Sequence, residues 1–252
     1  MKRIMTIAAV VASLAAMPSL AESLSATQIA DRNAAARGGL DAWRAVTSLQ
    51  ISGKMEAGGK QESLLPYTLS MKRPNKSRLE LRFQEKTAVQ VYDGSAGWKW
   101  RPYLNRNDVE PFTAAETKSS AATADLDGPL IDYARKGNQV ALEGTEKVEG
   151  STAYKLKLTL KDGTARYVWI DATSFLDVKI EGEPRRMDGK MRNVSVYNRE
   201  FRKEGKIVMP HSMETVVEGV AQKHKMTIDK VVVNAPVDDG AFTKAQLTAS
   251  AR

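Results

Sequence analysis

Strict alternation of apolar and polar side chains is the feature that most constrains this chain. From Tyr154 to Lys161, a tyrosine and leucines occupy every second position, with lysines or a threonine between them. A period of two places the apolar residues on one face of a β-strand and the polar residues on the other. Asp162-Gly163 then suits a tight hairpin turn, and similar patterns follow at 166–170 and 175–180. These patterns predict an antiparallel sheet with one buried face, which a second sheet, a helix or a ligand must cover.

The remaining patterns predict a mainly β (α+β) fold with short helices. Helix formers indicate helices over 25–36, ended by Gly38-Gly39, and over 113–124 and 128–136. Alternation between turn residues predicts strands at 48–57, 67–72, 78–83, 88–92, 97–100, 139–145, 153–160, 164–171, 175–181, 190–200, 210–218 and 223–234.

The last predicted strand carries a change of register. Met226 and Ile228 lie on one register and Val231 and Val233 on the other. This slip indicates a β-bulge or a strand that is buried on both faces. The tail beyond Phe242 is predicted to be loosely attached.

The first 21 residues have the composition of a secretory signal peptide. Lys2 and Arg3 precede an apolar run that is too short to span a bilayer, and Ser19-Leu20-Ala21 is a small-x-small cleavage sequence. We expect residues 1–21 to be a signal peptide that is cleaved after Ala21, and the product to be a soluble periplasmic protein. An uncleaved N-terminal membrane anchor is the alternative. Since no linker or internal repeat follows, residues 22–252 are predicted to form a single domain.

Charge and cysteine usage narrow the possible partners. The net charge of +8 is spread along the strands as lysines that alternate with apolar residues, and the chain has no cysteine. Scattered lysines are typical of a solvated sheet face, and together with export they argue against a nucleic acid as partner. Weak attraction to anionic lipid headgroups remains compatible with this charge.

Residue types that support catalysis are scarce. His211 and His224 both lie inside strand patterns, and the sequence has no Gly-x-Ser-x-Gly motif, Gly-rich phosphate loop or zinc-ligand spacing. Asp125 and Asp127 form a carboxylate pair, but at positions where turn and cap residues are expected. We therefore predict that the protein is not an enzyme, with no catalytic residue, no metal site and no cofactor.

Apolar side chains are plentiful around the helical pieces in the middle of the chain. We predict that six of them line an apolar cavity or its lid: Leu81, Trp98, Trp100, Leu130, Ile131 and Tyr133. One interpretation is that these side chains simply fill a core. The other is that the helical pieces form a lid over an incompletely filled concavity, which is a common way to hold a lipid.

The order of elements and several motifs resemble the outer-membrane lipoprotein-sorting proteins, the LolA/LolB-like superfamily of periplasmic carriers. The similarity is carried by residues 36–43, 92–98, 125–133, 144–150, 154–158, 208–212 and 234–242. It implies an open, antiparallel half-barrel whose concave apolar face is covered by short helices and binds acyl chains. The chain is similar to a divergent branch of that superfamily, and fold transfers between such branches better than function does.

Together these features predict a non-catalytic periplasmic carrier or binding protein. Its partner would be a lipid or an acylated protein, whose acyl chains are held in the apolar concavity. The alternative is an envelope interaction or sensor module that engages an inner-membrane protein through the same concavity or a sheet edge. A lipid that co-purifies with the protein would distinguish the first hypothesis from the second.

Overall fold

A computed structural model of the protein describes residues 24–56, 64–104 and 106–250. The predicted signal peptide lies outside the described residues. These residues form the α-helices α1 Ala26–Ala36, α2 Leu40–Arg44, α3 Ala114–Thr123 and α4 Lys244–Ser250. They also form the strands β1 Ser48–Glu56, β2 Leu64–Lys72, β3 Lys76–Phe83, β4 Lys86–Tyr92, β5 Gly97–Arg101, β6 Arg106–Pro111, β7 Gln139–Val148, β8 Ser151–Thr159, β9 Ala165–Asp171, β10 Asp177–Glu181, β11 Arg185–Met187, β12 Lys190–Arg192, β13 Val194–Glu204, β14 Ile207–Val217 and β15 His224–Val233.

One open antiparallel sheet of thirteen strands organises the described residues. Its order is β6-β5-β4-β3-β2-β1-β15-β14-β13-β10-β9-β8-β7, so that β6 and β7 are free edges. The strands before the middle segment and those after it meet where β1 pairs with β15. This architecture confirms the predicted mainly β fold, an open antiparallel half-barrel with short helices. In the part of the chain that the structure describes, no helix is both long and apolar enough to cross a membrane.

The predicted register slip in the last strand is a β-bulge. Ser52 pairs with Lys230 whereas Gly53 pairs with Ile228, which leaves Asp229 as an extra residue in β15. A bulge of this kind shifts the strand by one residue, so the two apolar registers of β15 face the same side of the sheet.

The helix predicted over 128–136 is wrong. We name the segment 125–137 the insert, and its residues 126–137 form consecutive turns instead. Its backbone is left-handed at Gly128, Asp132 and Gly137, with φ of 76°, 55° and 79°. A left-handed residue at the centre breaks the i→i+4 hydrogen-bond ladder of an α-helix.

The loosely attached tail is also a wrong prediction. Phe242 and Leu247 are each 0 % exposed. Leu247 belongs to α4, which packs against the sheet and which the sequence patterns did not indicate. The strand predicted over 190–200 is divided as well. Residues 190–192 turn back to pair with 185–187 as β11 and β12, and β13 begins only at Val194.

Candidate ligand-binding face

Helices α1 and α2 and the insert lie on one face of the sheet, which we name the inner face. Leu49 and Ile51 of β1 pack there with Trp43 of α2 and Ile131 of the insert. Because residues directly opposite each other in antiparallel strands point to the same side, the strand register assigns the other inner-face residues. The opposite side of the sheet is the outer face.

A second apolar cluster covers the other half of the inner face. Leu156 and Leu158 of β8 are each 0 % exposed and pack with Ile29 of α1 and Leu130 of the insert. Both clusters receive residues from α1 and the insert, and this confirms that Leu158 points to the covered side. The half of the sheet that contains β8 and β9 therefore has a filled core.

Polar side chains between the two clusters fix α1 to the sheet. Arg37, at the end of α1, donates to Asp177 Oδ1 at 2.7 Å and to the Val208 carbonyl at 2.6 Å. Asn33 donates to the Phe175 carbonyl at 2.8 Å, and Asn198 to the Asp177 carbonyl at 2.9 Å. Removing one partner from such a buried pair leaves an uncompensated charge, which costs about 3–5 kcal/mol. The cover over this part of the inner face is therefore firmly attached.

The inner face is less completely covered around β1, β2, β3 and the adjoining strands β14 and β15. Eight apolar side chains on these strands are only half-buried, although they pack against the buried cluster. Two of them are Val231 and Val233 of β15, and the other six form the group that we name the uncovered strip: Met55, Leu69, Leu79, Leu81, Met213 and Met226. Helix α3 adds little cover, since none of its residues is buried. Its contact with the sheet includes an ion pair, in which Lys99 Nζ lies 2.5 Å from Glu116 Oε1. The strip is therefore a candidate surface for an apolar ligand.

Strand register aligns the methionines of the uncovered strip. Met55 pairs with Met226 across β1 and β15, and Met226 pairs with Met213 across β15 and β14. Leu69 and Leu79 form the corresponding pair across β2 and β3. Methionine is unbranched and polarisable, so a row of methionines adapts to apolar partners of varied shape.

Tyr67 and Gly53 lie between the two parts of the strip. Gly53 pairs with Tyr67 on one side and with Ile228 on the other. The Tyr67 hydroxyl crosses this position and donates to the Thr227 carbonyl at 3.2 Å. Burial, together with Asp229 nearby, raises the pKa of Tyr67, so the phenol is protonated at neutral pH and keeps donating this bond.

Charged residues attach the insert to α2 and to the turn between β2 and β3. Arg44 makes two hydrogen bonds of 2.8 Å to Asp132, and Arg73 Nη2 lies 2.7 Å from Asp127 Oδ2. Within the insert, Lys136 Nζ lies 2.5 Å from Asp127 Oδ1 and 2.8 Å from Asp125 Oδ2. Asp125 and Asp127 were predicted to be turn residues, and their ion pairs also hold the insert over the inner face.

The two adjacent carboxyl groups of the insert titrate differently. Burial raises the pKa of Asp125 to about 6, and the neighbouring Asp127 adds to the rise. For Asp127 burial acts in the same direction, but hydrogen bonds from Asp125, Arg73 and Lys136 outweigh it and lower its pKa. Asp127 therefore ionises at a lower pH than Asp125.

The six predicted site residues do not form one group. Leu81 lies on the uncovered strip, as its pairing with Tyr67 requires. Ile131 is 1 % exposed in the cluster beneath α2, whereas Leu130 and Tyr133 belong to the cluster around β8. At Leu130 and Ile131 the core-filling interpretation applies, since both are buried. A role of these side chains in ligand binding stays a prediction.

Trp98 and Trp100 lie on the outer face, away from the insert. They pair with Val91 and Val89, which pack together with Phe242 and Leu247. The expectation that Trp100 meets a lid is therefore wrong. The sequence showed the alternation of these tryptophans but not the side to which they point, because α4 was not predicted to cover them.

Sequence reasoning missed the methionine row as a candidate site. Met226 was recognised only as one side of a register slip, and Met55 and Met213 were not singled out. Their alternation with polar neighbours was a visible signal, but their alignment depends on the pairing of β1 with β15, the first and the last strands along the chain.

Two open depressions occur elsewhere on the described surface. One of about 400 Å³ is lined by Gly38, Asp41, Ala42, Ala45, Lys203 and Lys206, and one of about 660 Å³ is lined by residues of α4. Neither is lined by a predicted site residue. The described residues also contain no group of three or more His, Asp or Glu side chains placed to hold a metal ion. His211 is buried, with Nδ1 3.1 Å from the Ile228 carbonyl and Nε2 3.0 Å from Glu204.

Comparison with known structures identifies the fold. Over 89 % of its length the chain superposes on a LolA superfamily protein from Nitrosomonas europaea, with 100 % of that chain covered, a TM-score of 0.59 and 15 % identity. A domain from Vibrio parahaemolyticus named for outer membrane lipoprotein sorting matches 87 % of this chain and 97 % of its own, with a TM-score of 0.60 and 13 % identity. A DUF1329 family protein from Desulfovibrio piger gives 88 % and 98 % coverage, a TM-score of 0.60 and 12 % identity. At these identities the likeness establishes the LolA-like fold alone.

Sequence comparison adds a family assignment. A family model described as "Uncharacterized protein" matches residues 120–249, from the last part of α3 into α4. Comparison with curated proteins finds no match.

Proposed function

The chain belongs to the family whose model spans residues 120–249 and has a LolA-like fold, and from this premise we propose that it carries a lipid or the acyl chains of a lipoprotein. The observation that supports this proposal is the uncovered strip on the inner face. A sheet face beneath helices that leaves apolar side chains half-buried offers a binding surface without requiring the core to open.

The chemistry of the strip favours a flexible apolar ligand. Three methionines and three leucines form it, and the Tyr67 hydroxyl near its centre is already engaged by the Thr227 carbonyl. With few free polar groups, the strip offers burial of apolar area, at about 25 cal/mol per Å², as the main source of affinity. Methionine tolerates ligands of varied shape, which suits acyl chains.

Export is part of the proposal. A carrier of this kind works in the periplasm, and residues 1–21 would be removed as a signal peptide. N-terminal sequencing of the exported protein should begin at Glu22, whereas a product that begins at Met1 would contradict export with cleavage.

Binding of a fluorescent fatty-acyl probe to the purified protein tests the proposed ligand class. Leu81→Ser and Met226→Ser should each weaken binding roughly threefold to tenfold, because each removes about 1 kcal/mol of apolar contact. Leu64→Ser is the matched control. Leu64 is 60 % exposed and lies on the outer face of β2, since its neighbour Leu65 points inward.

Two results would contradict the carrier proposal. One is a wild-type protein that does not bind the probe. The other is equal weakening by the strip variants and by Leu64→Ser, which would indicate non-specific adsorption. Absence of probe binding, together with an absence of lipid in organic extracts of the native protein analysed by mass spectrometry, would favour the interaction or sensor module.

A further inference from the structure

The hairpin of β11 and β12 stands apart from the thirteen-stranded sheet. Its strands pair with each other, Arg185 opposite Arg192 and Met187 opposite Lys190, and form a separate two-stranded sheet. The two chain segments that lead into and out of the hairpin are joined at its base, where the Gly182 N–H donates to the Val194 carbonyl at 2.9 Å. It is thus an addition to the β10–β13 connection that the sheet itself does not require.

The hairpin concentrates positive charge. Its eight residues contain Arg185, Arg186, Lys190 and Arg192, against the single acidic residue Asp188. Arg185 and Arg192 are directly opposite each other, an arrangement that destabilises a strand pair when nothing neutralises it. Among the described residues Arg185 and Lys190 have no ion-pair partner, and Asp188 lies 4.0 Å from Arg192. The hairpin therefore holds positive charge that the rest of the described chain does not balance.

An apolar side chain is exposed among these cations. Met191 is 58 % exposed, on the same side of the hairpin as its partner Arg186. Cations with an exposed apolar residue between them are typical of elements that rest in the interfacial region of a membrane. The cations lie on both sides of the hairpin, which suits a diffuse negative surface better than a shaped protein pocket.

The base of the hairpin is fixed although its tip is exposed. Arg192 Nη1 donates to the Glu218 carbonyl at 3.1 Å, and Asn193 donates to the Glu218 carboxylate at 2.9 Å. On the other side, Glu183 pairs with Arg166 of β9 and lies 3.4 Å from Lys118 of α3. These contacts present the charged tip in a fixed direction.

We propose that the hairpin Arg185–Arg192 docks the protein on an anionic lipid bilayer surface. The arginines and lysine attract the headgroups, and the Met191 side chain enters the interface between headgroups and acyl chains. This surface is separate from the uncovered strip, so docking does not depend on the acyl-chain ligand.

Sedimentation of the full-length mature protein with vesicles tests the docking surface. Binding is expected to vesicles of equal parts phosphatidylglycerol and phosphatidylcholine at low ionic strength, to fall as salt is added, and to be absent with phosphatidylcholine alone. Arg185→Gln combined with Lys190→Gln should lower the partition coefficient about 25-fold, at roughly fivefold per cation. Met191→Ser should lower the part of the binding that resists salt.

A matched pair of lysines controls for net charge. Lys203 and Lys206 are exposed at the opposite end of β13, and Lys203→Gln combined with Lys206→Gln removes the same charge. This control should change the partition coefficient by less than about threefold if distant charges are screened. Leu81→Ser should leave vesicle binding unchanged, which separates docking from failure of the proposed carrier function.

Three outcomes would overturn the docking proposal. They are no binding to anionic vesicles, equal losses in the two double variants, and a loss in Leu81→Ser that matches the loss in the hairpin variant. Polyglutamate added as a soluble acidic competitor should displace the protein only weakly. Tight binding to polyglutamate would identify an acidic protein partner in place of the bilayer.

Discussion

At the scale of single residues, Gly53 determines how the centre of the inner face is built. A Cβ at this position would lie 1.9 Å from the Thr227 carbonyl oxygen and 2.9 Å from its carbon. The close approach results from the bulge at Asp229, which brings the backbone of β15 toward β1. Because Gly53 has no side chain, the Tyr67 side chain can extend over it, and its hydroxyl donates to the Thr227 carbonyl.

Gly53→Ala should therefore destabilise the protein although Gly53 is not in a left-handed conformation. The clash is with backbone, which cannot move aside as a side chain can, so we expect a loss of about 1–3 kcal/mol or more. Ser52→Ala, one residue away on the outer face, should change the free energy of unfolding by about 0.5 kcal/mol or less. Denaturant unfolding curves of both variants measure the difference, and equal stability would refute the close approach.

At the scale of secondary-structure elements, the insert is held by charge as well as by apolar packing. Leu126 and Ile131 bury apolar area, while Asp127, whose side chain is 3 % exposed, is compensated by Arg73 and Lys136. Turns lack the regular hydrogen bonds of a helix, so these side chains replace what the backbone of the insert does not supply.

Lys136→Met should loosen the insert strongly. The substitution keeps the length of the side chain but leaves Asp125 and Asp127 without their shared cation, and breaking a buried pair in this way costs about 3–5 kcal/mol. Lys118→Met is the matched control, since the Lys118 side chain is 63 % exposed and pairs with Glu183 at 3.4 Å. That exposed pair should contribute only about 0–1 kcal/mol.

Thermal unfolding and hydrogen exchange at residues 125–137 report on the Lys136 substitution. We expect a lower melting temperature together with faster exchange confined first to the insert. Identical melting of the two lysine variants would show that the charges do not hold the insert.

At the scale of the whole molecule, both faces of one sheet bury apolar side chains, but with different partners. The inner face receives α1, α2 and the insert, whereas the outer face at β4 and β5 receives α4. Phe242 and Leu247 close this outer cluster over Val89 and Val91. The C-terminal segment is thus part of the folded core and not an appendage.

Leu247→Ala should destabilise the protein by about 2–5 kcal/mol, because it leaves a cavity beside Val91 in a fully buried cluster. Tryptophan fluorescence during unfolding is a direct probe, since Trp98 and Trp100 pack against the same cluster. Leu104→Ala, at a residue that is 49 % exposed, should change stability by about 0.5 kcal/mol or less. If Leu247→Ala left the free energy of unfolding unchanged, the interpretation of a loosely attached tail would be restored.

Short-range patterns determined most of the elements from the sequence alone. Alternation around Tyr154 predicted β8 and β9 closely, because a period of two is a property of neighbouring residues. The change of register after Ile228 predicted either a bulge or a strand buried on both faces, and the structure has the bulge. The insert was mistaken for a helix, since helix formers there are overridden by a left-handed Asp132 that bonds to Arg44. That bond joins residues 88 positions apart, which no local pattern contains.

The sequence by itself determined an antiparallel sheet with an apolar face and the short helices α1 and α3, since propensity and alternation depend on adjacent residues. Only the tertiary structure decided which apolar residues are covered. Leu81 and Trp100 alternate with polar neighbours in the same way, yet one lies on the uncovered strip of the inner face and the other on the outer face. The methionine row likewise exists only because β1 pairs with β15. Alternation shows that successive residues point to opposite faces of a strand. The packing of distant elements decides what covers each face.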